Sequence, residues 1–233
     1  MSTKLLQATD VASGTFLLVF TGMVAATVLL IMGTAWVSRR WKLPVALSGI
    51  VTLVAAMYYF YVSNIWIESG QMPIVYRYID WFITIPLQVV TLYFFIRVIS
   101  SLSTWLFWRL LVVSVVMVLA RYMGEAGLMH PTLGFLIGLI SWLYILGEAF
   151  FGRLGELSAK SSNYAVHTGF FWLRLIVTVG WAIYPLCYFI AGFAGGVEVQ
   201  KLNIVYNLSD FVNQIAFGLV ILTTAMKDSA SSK

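Results

Sequence analysis

The sequence predicts an all-α membrane protein, a single bundle of seven transmembrane helices with its N-terminus outside and its C-terminus in the cytoplasm. Three observations lead there. Of 233 residues, 61% are hydrophobic and only 10% are charged, with a mean hydropathy of +0.92, whereas a soluble domain carries about 25% charged residues. Seven apolar stretches, at 11–38, 44–67, 75–98, 104–126, 131–152, 163–193 and 202–226, are each long enough to cross a bilayer, which takes roughly 20 helical residues. Lys and Arg gather in alternate connections, the pattern of cytoplasmic loops. The connections are short, so residues 1–233 read as one domain. No internal repeat interrupts it, and the only low-complexity run is the tail "SASSK".

Taken in order, span 1 begins within the opening stretch "MSTKLLQATDVASGT". This start lacks a basic segment running into a short apolar core with a small-residue cleavage site, so no cleavable signal peptide is expected. Arg39, Arg40 and Lys42 follow span 1, Arg97 follows span 3, and Arg109 opens span 4. Arg153 and Lys160 follow span 5, and Lys227 and Lys233 follow span 7. All of these fall on one side, and the other side has little beyond Lys4 and Lys201. The net charge of +5 is therefore topological and implies no nucleic-acid partner. Cys187 is alone in an apolar run, which excludes a disulfide framework.

Span 3, "VYRYIDWFITIPLQVVTLYFF", places Arg77, Asp80 and Thr84 three and four residues apart, hence on one helical face. Pro86 follows two residues on, which a bundle interior tolerates. Span 7 adds Asp210. Charges inside a membrane are costly and usually functional, so a buried cluster of Arg77, Asp80 and Asp210 is expected. The plainer alternative is an ion pair clamping spans 3 and 7. Span 6, "GWAIYPLCYFI", carries Trp181, Tyr184, Pro185 and Tyr188 as an aromatic stripe around a proline. Trp81 and Trp142 supply further walls from spans 3 and 5. Aromatics beside a charged cluster suggest a slot for a flat apolar ligand with one charged end, although core packing also produces such stripes. Glu148 in span 5 reads as facing the interface. His130 and His167 lie near helix ends on opposite sides, so no shared metal or catalytic site forms and no enzymatic activity is expected.

"RYIDW…T…P" in span 3, "YMGEAG" after span 4, "GWAIYP" in span 6 and "YNLSDFVN" in span 7 together resemble the proteorhodopsins, over nearly the whole chain. The resemblance implies a seven-helix microbial rhodopsin of the bacterial cytoplasmic membrane. Its relatives bind all-trans retinal as a protonated Schiff base on a lysine of the last helix, and most pump protons outward. It assigns Asp80 as primary counterion and proton acceptor, Asp210 as second counterion, Arg77 as the gate and Thr84 as the hydroxyl beside the acceptor. Trp81 and Trp181 match the residues that sandwich the polyene, with Met117, Gly138, Trp142, Tyr184, Pro185 and Tyr188 around it. Gln88 matches the colour-tuning position, where Gln accompanies blue absorption, and Phe135 matches a bulky residue closing the window used by carotenoid antennae, so no antenna is expected. Rings of five or six copies, or mixed rings with a lysine-bearing rhodopsin, are expected on the same ground.

Four departures qualify this. Gln214 stands where the resemblance calls for the lysine. An imine needs a nucleophilic amine, and an amide nitrogen delocalised into its carbonyl is not one. Lys201 is thirteen residues back, about 20 Å along a helix, beyond side-chain reach. Retinal is therefore expected to bind non-covalently at most, with the Gln214 amide hydrogen-bonded to Asp80 and with Asp210 accepting from tyrosines such as Tyr184. Thr91 lies eleven residues after Asp80, about 16 Å away, where the pumps have a proton-donating acid. Tyr58 takes the place of a histidine that bonds the counterion. Arg121 falls near the position that touches the retinal ring, with two readings open: it crowds that end of the slot, or it snorkels outward and pairs with Glu125 four residues on. The expected function is thus a proteorhodopsin-like membrane protein that neither holds retinal covalently nor pumps alone. The alternatives are a light-driven pump whose lysine has been deliberately replaced, and a light-independent seven-helix channel or transporter.

Overall fold

The computed structural model describes residues 10–70, 74–193 and 198–231. Most of the starting segment, with Lys4, and the terminal Lys233 lie outside them. The helices are α1 (Val11–Gly33), α2 (Lys42–Ser69), α3 (Arg77–Arg97), α4 (Thr104–Glu125), α5 (Pro131–Phe150), α6 (Arg153–Ala159), α7 (Tyr164–Leu175), α8 (Trp181–Phe193) and α9 (Val199–Ser231). Among the described residues, seven stretches are long and apolar enough to cross a membrane; α7 and α8 together make the sixth and α9 the seventh. The chain is a multi-pass membrane protein. α1 packs on α2 and α9, α3 sits between α2 and α4, and α4 lies along α5.

Local chemistry sets the ends. The side chains of Asp10, Ser103 and Asn163 each accept a backbone N–H of the first turn of α1, α4 and α7, supplying partners the helix cannot. Pro131 opens α5, where its missing N–H costs nothing, and Gly70 closes α2 with φ of 65°. α4 and α5 touch backbone to backbone: a Cβ on Gly134 would stand 2.5 Å from the carbonyl oxygen of Ala120.

The observed spans differ from the expected ones at one end of the bundle. Span 1, read to residue 38, stops at Gly33, and a 3₁₀ turn at Arg39–Trp41 follows. Span 7, read as 202–226, runs from Val199 to Ser231. Both differences have one cause. Asp228, buried on α9, accepts from Arg40 Nη2 at 2.7 Å, Trp41 Nε1 at 2.5 Å and Asn163 Nδ2 at 2.5 Å. Ser229 Oγ accepts the N–H of Ser38 at 2.8 Å. These bonds hold the last helical turn in place and fold the α1–α2 connection over it. Span 5 ends at Phe150, and Glu148 there is buried, pairing with Arg109 at 2.8 Å and accepting the N–H of Arg153 at 2.6 Å. It does not face the interface.

Span 6, read as continuous over 163–193, is interrupted by a π-helical turn at Ile176–Gly180. One extra residue per turn frees carbonyls from the ladder, and other spans take them. Trp142 Nε1 donates to Val177 O at 2.9 Å, and Asn213 Nδ2 donates to Gly180 O at 3.0 Å. Glycine is required there, because a Cβ on residue 180 would meet Asn213 Oδ1 at 1.9 Å. Pro185, which has no N–H to give back to Trp181, follows within α8.

Candidate functional site

A charge in the middle of an apolar bundle must find partners, and Arg77 finds four. Its side chain is fully buried. Nη2 donates to Asn203 Oδ1 at 2.8 Å and Asn207 Oδ1 at 2.7 Å, and Nη1 donates to Tyr59 OH at 3.2 Å and Asp210 Oδ2 at 3.4 Å. Its guanidinium lies 5.1 Å over the ring of Tyr206. Asp210 also accepts from Tyr59 OH at 2.5 Å and Tyr184 OH at 2.7 Å. Asn207 Nδ2 donates onward to Thr15 at 3.0 Å. One buried network thus joins α1, α2, α3, α8 and α9.

The cluster expected from the sequence is assembled, with one change. Arg77 pairs with Asp210, not with Asp80, which lies on its own helix. Asp80 Oδ2 accepts from Gln214 Nε2 at 3.3 Å, and Thr84 Oγ1 donates to the backbone carbonyl of Asp80 at 3.0 Å. The anticipated Gln214–Asp80 and Tyr184–Asp210 bonds are both present. The tyrosine beside the cluster is the neighbour of the expected one: Tyr59 holds Asp210, while the buried hydroxyl of Tyr58 has no hydrogen-bond partner among the described residues. Thr91 Oγ1 donates 2.6 Å back to Leu87 O of its own helix, so its hydroxyl is spent locally.

Beside the cluster runs an aromatic slot, a cavity of about 80 Å³ lined by Trp81, Met117, Arg121, Gly138, Trp142, Trp181, Tyr184 and Pro185, together with Tyr78, Ile85, Val118 and Leu139. Trp81 and Tyr184 meet edge-on at 5.2 Å. A smaller cavity of about 10 Å³ adjoins it, sharing Trp81, Ile85, Trp181 and Tyr184 and bounded also by Thr84, Gln88, Asp210, Asn213 and Gln214. Gln88 therefore borders the inner end of the slot and not the slot proper. Phe135 and Tyr188 do not line it: their rings stack on each other at 5.4 Å outside the wall.

Arg121 settles between its two readings. It pairs with Glu125 at 3.2 Å, but its side chain is only 13% exposed and faces inward, lining the slot and lying 3.9 Å over the ring of Tyr188. Snorkelling is therefore not what this residue does. Tyr78 OH also donates to Glu125, at 2.7 Å. Among the described residues, no group of three or more His, Cys, Asp or Glu side chains is placed to hold a metal ion.

Sequence reasoning missed Tyr59, Asn203, Asn207 and Tyr206. The asparagines carried a signal: Asn203, Asn207, Asp210 and Gln214 recur at four, three and four, a polar stripe along one face of an apolar helix.

The bacteriorhodopsin-like protein family matches residues 11–228. The chain is 40% identical over 229 residues to a blue-light absorbing proteorhodopsin of Gamma-proteobacterium Hot 75m4, covering 97% of this chain and 91% of that one. A green-light absorbing proteorhodopsin of Gamma-proteobacterium EBAC31A08 is 39% identical over 228 residues, with the same coverage. The crystal structure of the blue light-absorbing proteorhodopsin from Med12 superposes with a TM-score of 0.80 at 40% identity, covering 94% of this chain and all of that one.

Proposed function

Because the chain belongs to the bacteriorhodopsin-like protein family, we propose that it is a proteorhodopsin-type membrane protein that holds retinal non-covalently at most and drives no light-powered proton transport on its own. One observation carries the reading. The residue of α9 that meets Asp80 at the inner end of the slot is an amide, Gln214, 3.3 Å from the carboxylate. The described lysines are remote from it. Lys42 opens α2, Lys160 follows α6, and Lys201 and Lys227 are each thirteen residues from Gln214 on α9, about 20 Å along the helix.

The walls suit the polyene and the inner end does not suit its covalent link. Trp81 and Trp181 give flat apolar faces, while Gln214 offers a hydrogen bond in place of a nucleophile. Retinal, when bound, supplies light absorption and isomerisation. The chain's own residues would hold it between the two tryptophans, with the Gln88 and Gln214 amides at its end. Arg77 and Asp210 fix the neighbouring helices, and Arg121 makes the opposite end polar. The same proposal puts the protein in the bacterial cytoplasmic membrane by its likeness to proteorhodopsins, and the charge pattern of the loops supports the Arg40–Asp228 end as the inner one.

The test is borohydride reduction of the purified protein after incubation with all-trans retinal, read by intact mass. The expected spectrum shows the unmodified chain alone. A retinyl adduct on any residue would overturn the proposal.

A further inference from the structure

The small cavity at the inner end of the slot is bounded by unpaired polar atoms of both kinds. Gln88 Nε2 is a buried donor with no partner among the described residues, and Gln214 Oε1 is a buried acceptor with none. Asp80 Oδ1 beside them also lacks a partner. Gln88, Gln214 and Asp80 are 2%, 4% and 1% exposed, so lipid and bulk water do not serve them. An unmatched buried polar group costs about 1–3 kcal/mol, and two such amides border this one cavity. The cavity of about 10 Å³ is the size of a single oxygen-centred group. Its other walls, Trp81, Ile85, Trp181 and Tyr184, are those of the aromatic slot.

From this we infer that the inner end of the slot is a hydroxyl-binding site and that the protein's ligand is a flat polyene or isoprenoid alcohol. The inference rests on the slot reading given under Proposed function and adds the chemistry of the ligand's end. A hydroxyl donates once and accepts, so it takes the Gln88 N–H and gives its proton to Gln214 Oε1, both of which border the cavity. An aldehyde only accepts and leaves that oxygen unmatched. A carboxylate would face Asp80 and Asp210 with like charge. The Gln214 amide is oriented by its own bond, Nε2 donating to Asp80 Oδ2 at 3.3 Å, which leaves Oε1 as the acceptor for the alcohol's proton.

The experiment uses the full chain in bilayer discs, with ligand binding read as quenching of tryptophan fluorescence, because Trp81, Trp142 and Trp181 line the slot. All-trans retinol, all-trans retinal, retinoate and the parent hydrocarbon ending in a methyl group are titrated against it, with protein-free discs as the partition control. Retinol is expected to bind at least about tenfold more tightly than the hydrocarbon or retinal, the worth of one or two hydrogen bonds, and retinoate most weakly. Gln88→Leu removes the orphan donor without opening a cavity, so its helical content and unfolding temperature should hold. It should weaken retinol severalfold and leave the hydrocarbon unchanged. Equal affinity for retinol and hydrocarbon, or a Gln88→Leu effect on both alike, overturns the hydroxyl site while the slot stands. Retinal binding as tightly as retinol does the same. Failure of all four ligands to bind overturns the slot reading and the inference with it.

Discussion

Tyr58 and Tyr59 are adjacent, both buried, and opposite in what their hydroxyls do. Tyr59 OH donates to Asp210 and accepts from Arg77, whereas Tyr58 OH is unpartnered among the described residues. Removing one partner of a satisfied buried pair costs the desolvation of the group left behind, about 1–3 kcal/mol, while removing an orphan is neutral or favourable. Tyr59→Phe is therefore expected to lower unfolding free energy by roughly 1–3 kcal/mol, and Tyr58→Phe to leave it level or raise it; chemical unfolding in detergent separates the two. Arg77→Met, which strands Asp210 in the interior, should cost more, on the order of 3–5 kcal/mol. The charged members of this cluster were legible in the sequence because Arg77, Asp80 and Asp210 interrupt apolar spans. Which tyrosine joins them was not. Neighbouring residues on a helix point about 100° apart, and only packing decides which one faces the acid. Arg121 was legible as an anomaly but not in direction, because its inward course needs the space beside Gly138, where a Cβ would stand 2.6 Å from Arg121 Cγ.

At the scale of the element, the sixth span shows where periodicity stops being informative. A run of apolar residues over 163–193 reads as one helix. The π turn at Ile176–Gly180 adds a residue to the ladder without altering composition. Its partners, Trp142 and Asn213, come from other spans, so no local signal announces it. Gly180 is its sensitive point. Gly180→Ala must displace Asn213 and is expected to destabilise the protein by more than about 1 kcal/mol. Gly147→Ala, in α5 with open space around the added methyl, should be neutral or stabilising by up to ~1 kcal/mol. Thermal unfolding of the two variants side by side makes the comparison. The helix ends near Arg40 were misread for a related reason. The seventh span was read to end at 226, before Asp228, whose partners Arg40, Trp41 and Asn163 are far away in sequence.

At the scale of the whole molecule, class and span count followed from composition and apolar length alone. The slot was legible as a set of aromatics, and eight of its predicted residues line one cavity, while Phe135 and Tyr188 stack outside it. On the proposed reading, an amine placed at residue 214 should not by itself give a fast cycle. The Thr91 hydroxyl is not an acid near neutral pH, and its one O–H is already given to its own helix. A Gln214→Lys protein is expected to recover slowly after a flash, and Gln214→Lys with Thr91→Glu to recover at least about tenfold faster, since a positioned general acid is worth roughly 10²–10⁴ in rate. Flash photolysis of both variants gives the ratio.

The most direct test of the central claim is the visible absorption spectrum of the purified protein with all-trans retinal, beside its Gln214→Lys variant. The account predicts no shifted visible band for the protein itself and a blue-green band for the lysine variant, showing an intact bundle and slot whose missing amine removes the chromophore linkage. A shifted band in the unmodified protein, with a retinyl mass adduct that remains on the chain after borohydride reduction and denaturation, would contradict it, because retinal would then be held by a covalent bond at some other residue.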